Sequence, residues 1–257
     1  MKKSTLIIII ALVVAFIGLG VFVSTRNDKK KEEEAAVYES YDLYSIIPGD
    51  ENNGGIADHI KGTVEGVEPE VYIYEYADYQ CPGCATTNPW INSILEEYGG
   101  KVAIVYRSFL LSYHQNGKAA ASAAEAAGLQ GYWKEYANLL FANQSEWESL
   151  SGAGRKEKFA EYFKTVSQGA GNASKFAKDV ASEEVSRKVS FDCALGKRIA
   201  VSATPAFYVD GGEVSWTNNK EAQTRSGFIN YFKNLIDKKL AGEDISEYLE
   251  KKDGSEE

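Results

Sequence analysis

The sequence predicts an α/β fold with an all-helical insertion, preceded by an apolar segment long enough to be an N-terminal transmembrane helix. Two strand-like runs flank one amphipathic helix, an Ala-rich region with helical periodicity follows, and strand-like residues return before a final helix. With 257 residues and 44% apolar content, the chain can build a packed core.

The first element is the apolar segment 6–23, which carries no charged residue. A helical rise of about 1.5 Å per residue gives it a length of roughly 27 Å, close to the hydrocarbon thickness of a bilayer. The segment is longer than the apolar part of a typical signal peptide, and no good small-residue cleavage site follows it. We therefore predict that residues 1–26 form an uncleaved, single-pass membrane anchor. Basic residues flank both ends, so charge alone does not fix its orientation.

Residues 27–69 are rich in Lys, Glu, Asp, Asn and Gly, which predicts a polar linker. The apolar stretch Tyr44–Ile47 is the part of this linker that could dock on the domain as a small edge element. We place the globular domain at residues 70–241 and a charged tail at 242–257.

Within the domain, Val71–Ala77 and Val102–Tyr106 are rich in β-branched and aromatic residues and are predicted strands. The residues between them have helical periodicity, which predicts a β-α-β unit with a right-handed crossover. From about 112 to 200, helical periodicity predicts an insertion of four or five helices. A β-hairpin is predicted at Ala206–Trp216, with its turn at Asp210–Gly212, before an amphipathic C-terminal helix.

The chemically informative motif is Cys81-Pro82-Gly83-Cys84, at the junction of the first strand and its helix. The first turn of a helix brings two such cysteines close enough for a disulfide. Backbone N–H groups and the helix dipole favour negative charge there, so we expect a low pKa for Cys81 and a solvent-facing thiol. Cys81 then serves as the nucleophile and good leaving group, and the inward-facing Cys84 serves as the resolving thiol.

Other uses of the cysteines are less favoured. The chain has three cysteines, too few for a disulfide-stabilised scaffold. A structural zinc site usually needs four Cys or His ligands, and the chain has two histidines and no second Cys-x-x-Cys motif. Cys193 has apolar neighbours at helical spacing and is expected to be a buried, unreactive thiol. A metal site or a purely structural disulfide remains an alternative at Cys81 and Cys84. A net charge of −9 argues against a nucleic-acid partner.

Two segments and the region between them resemble a known family. Glu75–Cys84, Ser202–Gly211 and the intervening helical region look like the DsbA-type branch of the thioredoxin superfamily, over about residues 70–240. Supporting matches are Phe109–Leu111 with His114, and Gly131–Gln144. The resemblance implies a thioredoxin-like fold interrupted by a helical domain, with Cys81 as the nucleophile and no bound cofactor.

The same resemblance implies that the Thr204–Pro205 peptide bond is cis and lies beside the dithiol. There Thr204 and Pro205, together with Pro82 and Gly83, would align an extended substrate chain beside Cys81. The dipeptide Pro82-Gly83 lacks the histidine that strongly oxidising relatives carry between the cysteines, so the direction of electron flow stays open.

Glu75 lies six residues before Cys81 and, by strand alternation, could point beneath the dithiol. A buried carboxyl group there would have a raised pKa and could exchange a proton with Cys84. The alternative is that Glu75 points to solvent. Asp78 is interpreted as a loop or capping residue, and His114 as structural.

Together these observations predict a membrane-tethered, extracytoplasmic thiol–disulfide oxidoreductase. Its partners would be reduced secreted or surface proteins and a further redox protein that reoxidises the dithiol. Two alternatives remain: a reductase or isomerase that uses the same site, and a non-catalytic module that binds a metal or a client protein.

Overall fold

The computed structural model of the protein describes residues 37–250. The predicted membrane anchor at residues 1–26 lies outside this range. Among residues 37–250, no helix has both the length and the apolar character needed to cross a bilayer.

The described residues form one mixed sheet of five strands in the order β1-β3-β2-β4-β5. The two central strands, β2 and β3, are parallel, and the other neighbouring pairs are antiparallel. The strands are β1 (His59–Lys61), β2 (Val71–Ala77), β3 (Val102–Ser108), β4 (Ala206–Val209) and β5 (Gly212–Glu213).

Eight α-helices accompany the sheet within residues 43–250. The first connects the two parallel strands, six form the insertion between β3 and β4, and the last follows the sheet. They are α1 (Pro82–Tyr98), α2 (Gly117–Gly128), α3 (Trp133–Ala142), α4 (Gln144–Trp147), α5 (Gly152–Val166), α6 (Ala173–Asp179), α7 (Glu183–Arg198) and α8 (Arg225–Leu240). The insertion thus has six helices where the sequence predicted four or five.

Two apolar cores hold these elements together. One lies between the sheet and helices α1 and α8, where Ile91, Phe207 and Phe232 are buried. The other fills the helical insertion and reaches Cys81 and Cys84. The dithiol therefore lies at the edge of the insertion core, where both parts of the fold position it.

The compact domain begins earlier than predicted, at Leu43 instead of near Glu70. The linker prediction is therefore wrong for residues 43–69. The reason is a fully buried ion pair: Arg107 Nη2 donates to Asp58 Oδ2 at 2.7 Å, and Lys188 Nζ donates to Asp58 Oδ1 at 3.1 Å. The segment then adds β1 to the sheet, antiparallel to β3. The polar composition of the segment predicted a linker, but one of its polar side chains, Asp58, is the group that anchors it to the domain.

The predicted hairpin also differs in detail. Strand β4 occupies Ala206–Val209 as expected, but β5 is only Gly212–Glu213. Asp210 and Gly211 form the turn with positive φ values of 49° and 83°. Trp216 lies in a 3-10 turn instead of the second strand, and it packs against Phe207 and Phe228 in the core beside α8.

Candidate active site

Cys81 lies where the chain turns from β2 into α1. It is the N-cap residue of α1, with the extended backbone angles φ −75° and ψ 122°, and Pro82 follows in the first turn. Proline suits this position because it lacks an N–H that would otherwise be unpaired. The Cys81 N–H donates to Asp78 O at 2.9 Å, and the Cys81 carbonyl accepts from Ala85 N at 3.1 Å. These bonds fix the backbone of the nucleophile on both sides.

Asp78 holds the turn that precedes Cys81. Its buried carboxylate accepts hydrogen bonds from Gln80 N at 2.9 Å and Leu111 N at 3.0 Å, and it lies 2.9 Å from His114 Nδ1. Asp78 thus joins the turn to the loop after β3. His114 has the structural partner that sequence reasoning did not identify, because the two residues are far apart in the chain.

The pKa of Cys81 is lowered to about 5, from a usual value near 9.0. The largest cause is the Cys84 thiol, which donates a hydrogen bond to it; the Thr204 side chain and the backbone N–H groups of Gly83 and Cys84 add to the effect, and burial opposes it. The low pKa expected from the sequence is present, but the neighbouring thiol contributes more than the backbone at the helix start. Cys81 is also less exposed than expected, since only 7% of its surface is accessible.

Cys84 has the opposite electrostatics. It is fully buried, and burial raises its pKa well above the usual value, with further contributions from Cys81 and Glu75. Cys84 therefore remains a neutral hydrogen-bond donor under conditions in which Cys81 is a thiolate. Both cysteines are free thiols in the structure, which describes the reduced form.

The Thr204–Pro205 segment lies directly against the dithiol. Its peptide bond is cis, and the Cys81 thiol donates to Thr204 O at 3.1 Å. Gly83 faces the same segment: a Cβ atom on Gly83 would lie 3.3 Å from Pro205 Cδ and 3.7 Å from Cys81 Sγ. The residues predicted from the resemblance are thus brought together around Cys81.

Glu75 is buried and does not reach solvent, and its charge helps to raise the pKa of Cys84. Burial raises its pKa, and Lys61 Nζ, 3.8 Å from Glu75 Oε2, opposes that rise. Neither carboxylate oxygen has a hydrogen-bond partner among the described residues. A buried carboxyl group that makes no hydrogen bond to the described residues and acts electrostatically on Cys84 makes Glu75 the candidate proton-exchange group of this site.

Sequence reasoning missed Lys61, the buried partner of Glu75. The ammonium group donates to Asn88 Oδ1 at 2.9 Å and lies 5.2 Å from the centre of the Tyr106 ring. Burial lowers its pKa, while Glu75 and Cys84 oppose that change. Lys61 was assigned to the polar linker, and its position follows from the pairing of β1 with β3. A buried lysine is not recognisable without that pairing.

Cys193 does not join the dithiol. It is half-buried on α7, its thiol lies 3.6 Å from Ser108 O, and burial raises its pKa to about 11. Its thiol is therefore protonated near neutral pH. Within residues 37–250, no group of three or more His, Cys, Asp or Glu side chains is arranged to bind a metal ion.

A sequence model of the thioredoxin family matches residues 67–229. Curated relatives match over part of their length: the Na(+)/H(+) antiporter NhaA 3 of Salinispora tropica is 32% identical over 169 residues. The NhaA 1 protein of Salinispora arenicola is 30% identical over 166 residues. Each alignment covers 64% of this chain, and the chain spans only 23% of the length of either relative.

Solved structures share the fold at low sequence identity. The oxidised BdbD of Bacillus subtilis superimposes with a TM-score of 0.58 at 18% identity, covering 77% of this chain and 99% of that one. Proteus mirabilis ScsC in a transitional conformation gives 0.58 at 13% identity, covering 94% and 97%. Wolbachia pipientis alpha-DsbA1 gives 0.53 at 18% identity, covering 72% and 92%. These likenesses establish a thioredoxin-like fold with a helical insertion.

Proposed function

Because the chain belongs to the thioredoxin family and pairs an acidic thiol with a buried one, we propose that it is a DsbA-type thiol–disulfide oxidoreductase. The observation that carries this proposal is the lowered pKa of Cys81, to about 5, beside the fully buried Cys84. Such a pair contains a thiol that leaves easily as an anion and a second thiol that is protected from other reactants.

The proposed reaction begins with the Cys81–Cys84 disulfide. A substrate thiolate attacks Cys81 Sγ, the bond to Cys84 breaks, and Cys84 takes a proton from Glu75. A second substrate thiolate then attacks the substrate sulfur of the mixed disulfide, and Cys81 leaves as a thiolate. Two electrons pass from the substrate dithiol to the protein. A redox partner that carries a disulfide removes them again.

We infer that the substrate chain binds along the Thr204–Pro205 segment, beside Pro82 and Gly83. This segment lies within contact distance of Cys81 through Thr204 O, and the absence of a side chain on Gly83 keeps the approach to Pro205 open. Reduced secreted or surface proteins are the proposed substrates. A single-pass anchor at residues 6–23 would hold the domain outside the cytoplasm, where disulfides persist.

The low pKa of Cys81 favours the oxidising direction over reduction. A stable thiolate lowers the free energy of the reduced protein, so the Cys81–Cys84 disulfide is a stronger oxidant. A reductase would have a less acidic nucleophile, as in thioredoxin, whose reactive cysteine has a pKa of about 7.

The activity is tested with the oxidised protein and a synthetic peptide that contains two cysteines. We expect the wild-type protein to convert the peptide to its disulfide form, and Cys81→Ser to leave it reduced. Cys193→Ser is the matched control, because it removes a thiol outside the dithiol, and it should oxidise the peptide at the wild-type rate. If wild type and Cys81→Ser were equally inactive, the non-catalytic binding module would be the better interpretation.

A further inference from the structure

The helical insertion contacts the nucleophile directly through Gln144, the first residue of α4. Its side-chain Nε2 donates to Tyr79 O at 2.8 Å and to the Cys81 carbonyl at 3.1 Å. Because both partners are carbonyl oxygens, only the NH₂ end of the amide can satisfy them, and this fixes the orientation of the side chain. One side chain from the insertion therefore binds the residue that does the chemistry.

A second glutamine, which lies in the strand-to-helix turn, makes hydrogen bonds in the opposite direction, to the helical insertion. Gln80, next to Cys81 in the chain, accepts from Asn116 N at 2.6 Å and donates to Glu148 O at 3.2 Å. Asn116 is buried, and its side-chain amide donates to Glu148 O at 2.8 Å and Leu150 O at 2.7 Å. The strand-to-helix turn and the insertion are thus joined by side-chain amides on both sides of Cys81.

The contact made by Gln144 bears on the thiol because of where Cys81 lies in the helix. As the N-cap residue, Cys81 has a carbonyl that already accepts from Ala85 N. A second donor on the same oxygen holds the whole peptide unit of Cys81. The position of that unit directs the Cys81 side chain toward Thr204 O. It also places the sulfur near the N–H groups of Gly83 and Cys84, and these N–H groups favour the thiolate.

We propose that Gln144 is a positioning residue for Cys81, through which the helical insertion sets the reactivity of the nucleophile. This inference deepens the proposed function and rests on it for the role of Cys81 in exchange. Gln144 takes no part in bond making or breaking; it acts through the backbone of Cys81. Its removal should therefore change the reactivity of Cys81 even toward a small reagent that needs no substrate groove.

Gln144→Glu is the sharpest variant because it keeps the shape of the side chain. The carboxylate cannot donate, so it would face two carbonyl oxygens and add a negative charge near the Cys81 thiolate. Both effects disfavour the thiolate. Gln144→Leu removes the donor without adding charge and separates the two effects.

Gln130 offers a matched control within the same insertion. Its side chain also bridges backbone groups, donating to Asn172 O at 3.2 Å and accepting from Asn172 N at 2.9 Å, but on the exposed surface. Gln130→Glu therefore makes the same chemical change at a bridge that does not contact the dithiol. It should leave the reactivity of Cys81 unchanged.

The measurement is the rate of alkylation of reduced Cys81 by iodoacetamide from pH 4 to 8, with folding checked by circular dichroism. We expect Gln144→Glu to lower the thiolate fraction on the acid side by about tenfold, which corresponds to one pKa unit. For Gln144→Leu we expect at least about threefold slower alkylation at the plateau above the pKa, since the loss of a positioning hydrogen bond misplaces the thiol.

Wild-type alkylation profiles in both Gln144 variants would overturn the proposal, and so would an equal change in Gln130→Glu. If Gln144→Glu fails to fold, the uncharged Gln144→Leu variant decides alone. Peptide oxidation by the wild-type protein is measured in parallel. A positive alkylation result with no peptide oxidation would contradict the proposed function and leave the positioning role of Gln144 standing.

Discussion

Cys81 and Cys84 lie one helical turn apart, yet the structure moves their pKa values in opposite directions. Cys81 is partly accessible and accepts a hydrogen bond from Cys84, whereas Cys84 is sealed from water. The hydrogen bond therefore stabilises the thiolate of Cys81 and, at the same time, keeps Cys84 protonated as its donor. The low pKa of Cys81 therefore depends on the presence of both cysteines.

The first prediction concerns Cys84→Ala. Because the Cys84 thiol is the largest cause of the low pKa of Cys81, its removal should raise that pKa from about 5 toward 9.0. The backbone N–H groups remain, so we expect an intermediate value. Ultraviolet thiolate absorbance followed across the pH range measures it, with Cys193→Ala as the matched control. An unchanged midpoint in Cys84→Ala would assign the effect to the helix start alone.

At the residue scale, the cysteines were predicted from their motif, Glu75 from its spacing to Cys81, and Pro205 from the family resemblance. Sequence reasoning could not find Lys61 or the bond from Gln144 to Cys81, since each joins positions far apart in the chain. The acidity of Cys81 followed from its place at a helix start. The contribution of the Cys84 thiol requires the side-chain geometry.

At the scale of elements, the start of α2 packs closely on the turn that carries the dithiol. A Cβ atom at Gly117, the first residue of α2, would lie 2.6 Å from Asp78 Oδ1. The Asp78 carboxylate cannot easily move away, because it is fixed by Gln80 N, Leu111 N and His114. Glycine is therefore required at this position for close approach.

We predict that Gly117→Ala destabilises the protein by about 1–3 kcal/mol, the usual cost of overpacking. Gly154→Ala is the matched control: it lies near the start of α5, and its Cβ would meet no atom within 4 Å. That change should be neutral or stabilising by up to about 1 kcal/mol, because alanine favours the helix. Urea unfolding of both variants measures the difference. Equal stabilities would show that Asp78 yields without cost.

The elements that periodicity defines best were predicted well: the two parallel strands, the helix between them and the helical insertion all occupy the expected regions. β1 was missed because it has only three residues, His-Ile-Lys, and too few apolar positions to show alternation. Its place at the sheet edge depends on the buried Asp58–Arg107 ion pair, which local sequence does not reveal.

At the scale of the whole molecule, the acidity of Cys81 couples folding to redox state. The lowered pKa means that the folded, reduced protein binds one proton fewer than its unfolded form between about pH 5 and 9.0. Stability from this group is fully present above 9.0 and is lost as the pH falls through about 5. In the oxidised protein this titration is absent.

We therefore predict that the free energy of unfolding of the reduced protein, minus that of the oxidised protein, rises with pH over this range. The slope should approach about 1.4 kcal/mol per pH unit. Groups that titrate alike in both forms cancel in the difference. Guanidinium unfolding of the two redox forms at several pH values gives the slope, and a flat difference would mean that Cys81 is not an anion in the folded state.

The claim that the Cys81–Cys84 disulfide is an electron acceptor is tested most directly by its reduction potential, measured by equilibration with glutathione buffers at neutral pH. We predict a potential clearly above that of thioredoxin, about −270 mV, because the Cys81 thiolate favours the reduced form. A value at or below that of thioredoxin would contradict the account and would assign the site to reduction.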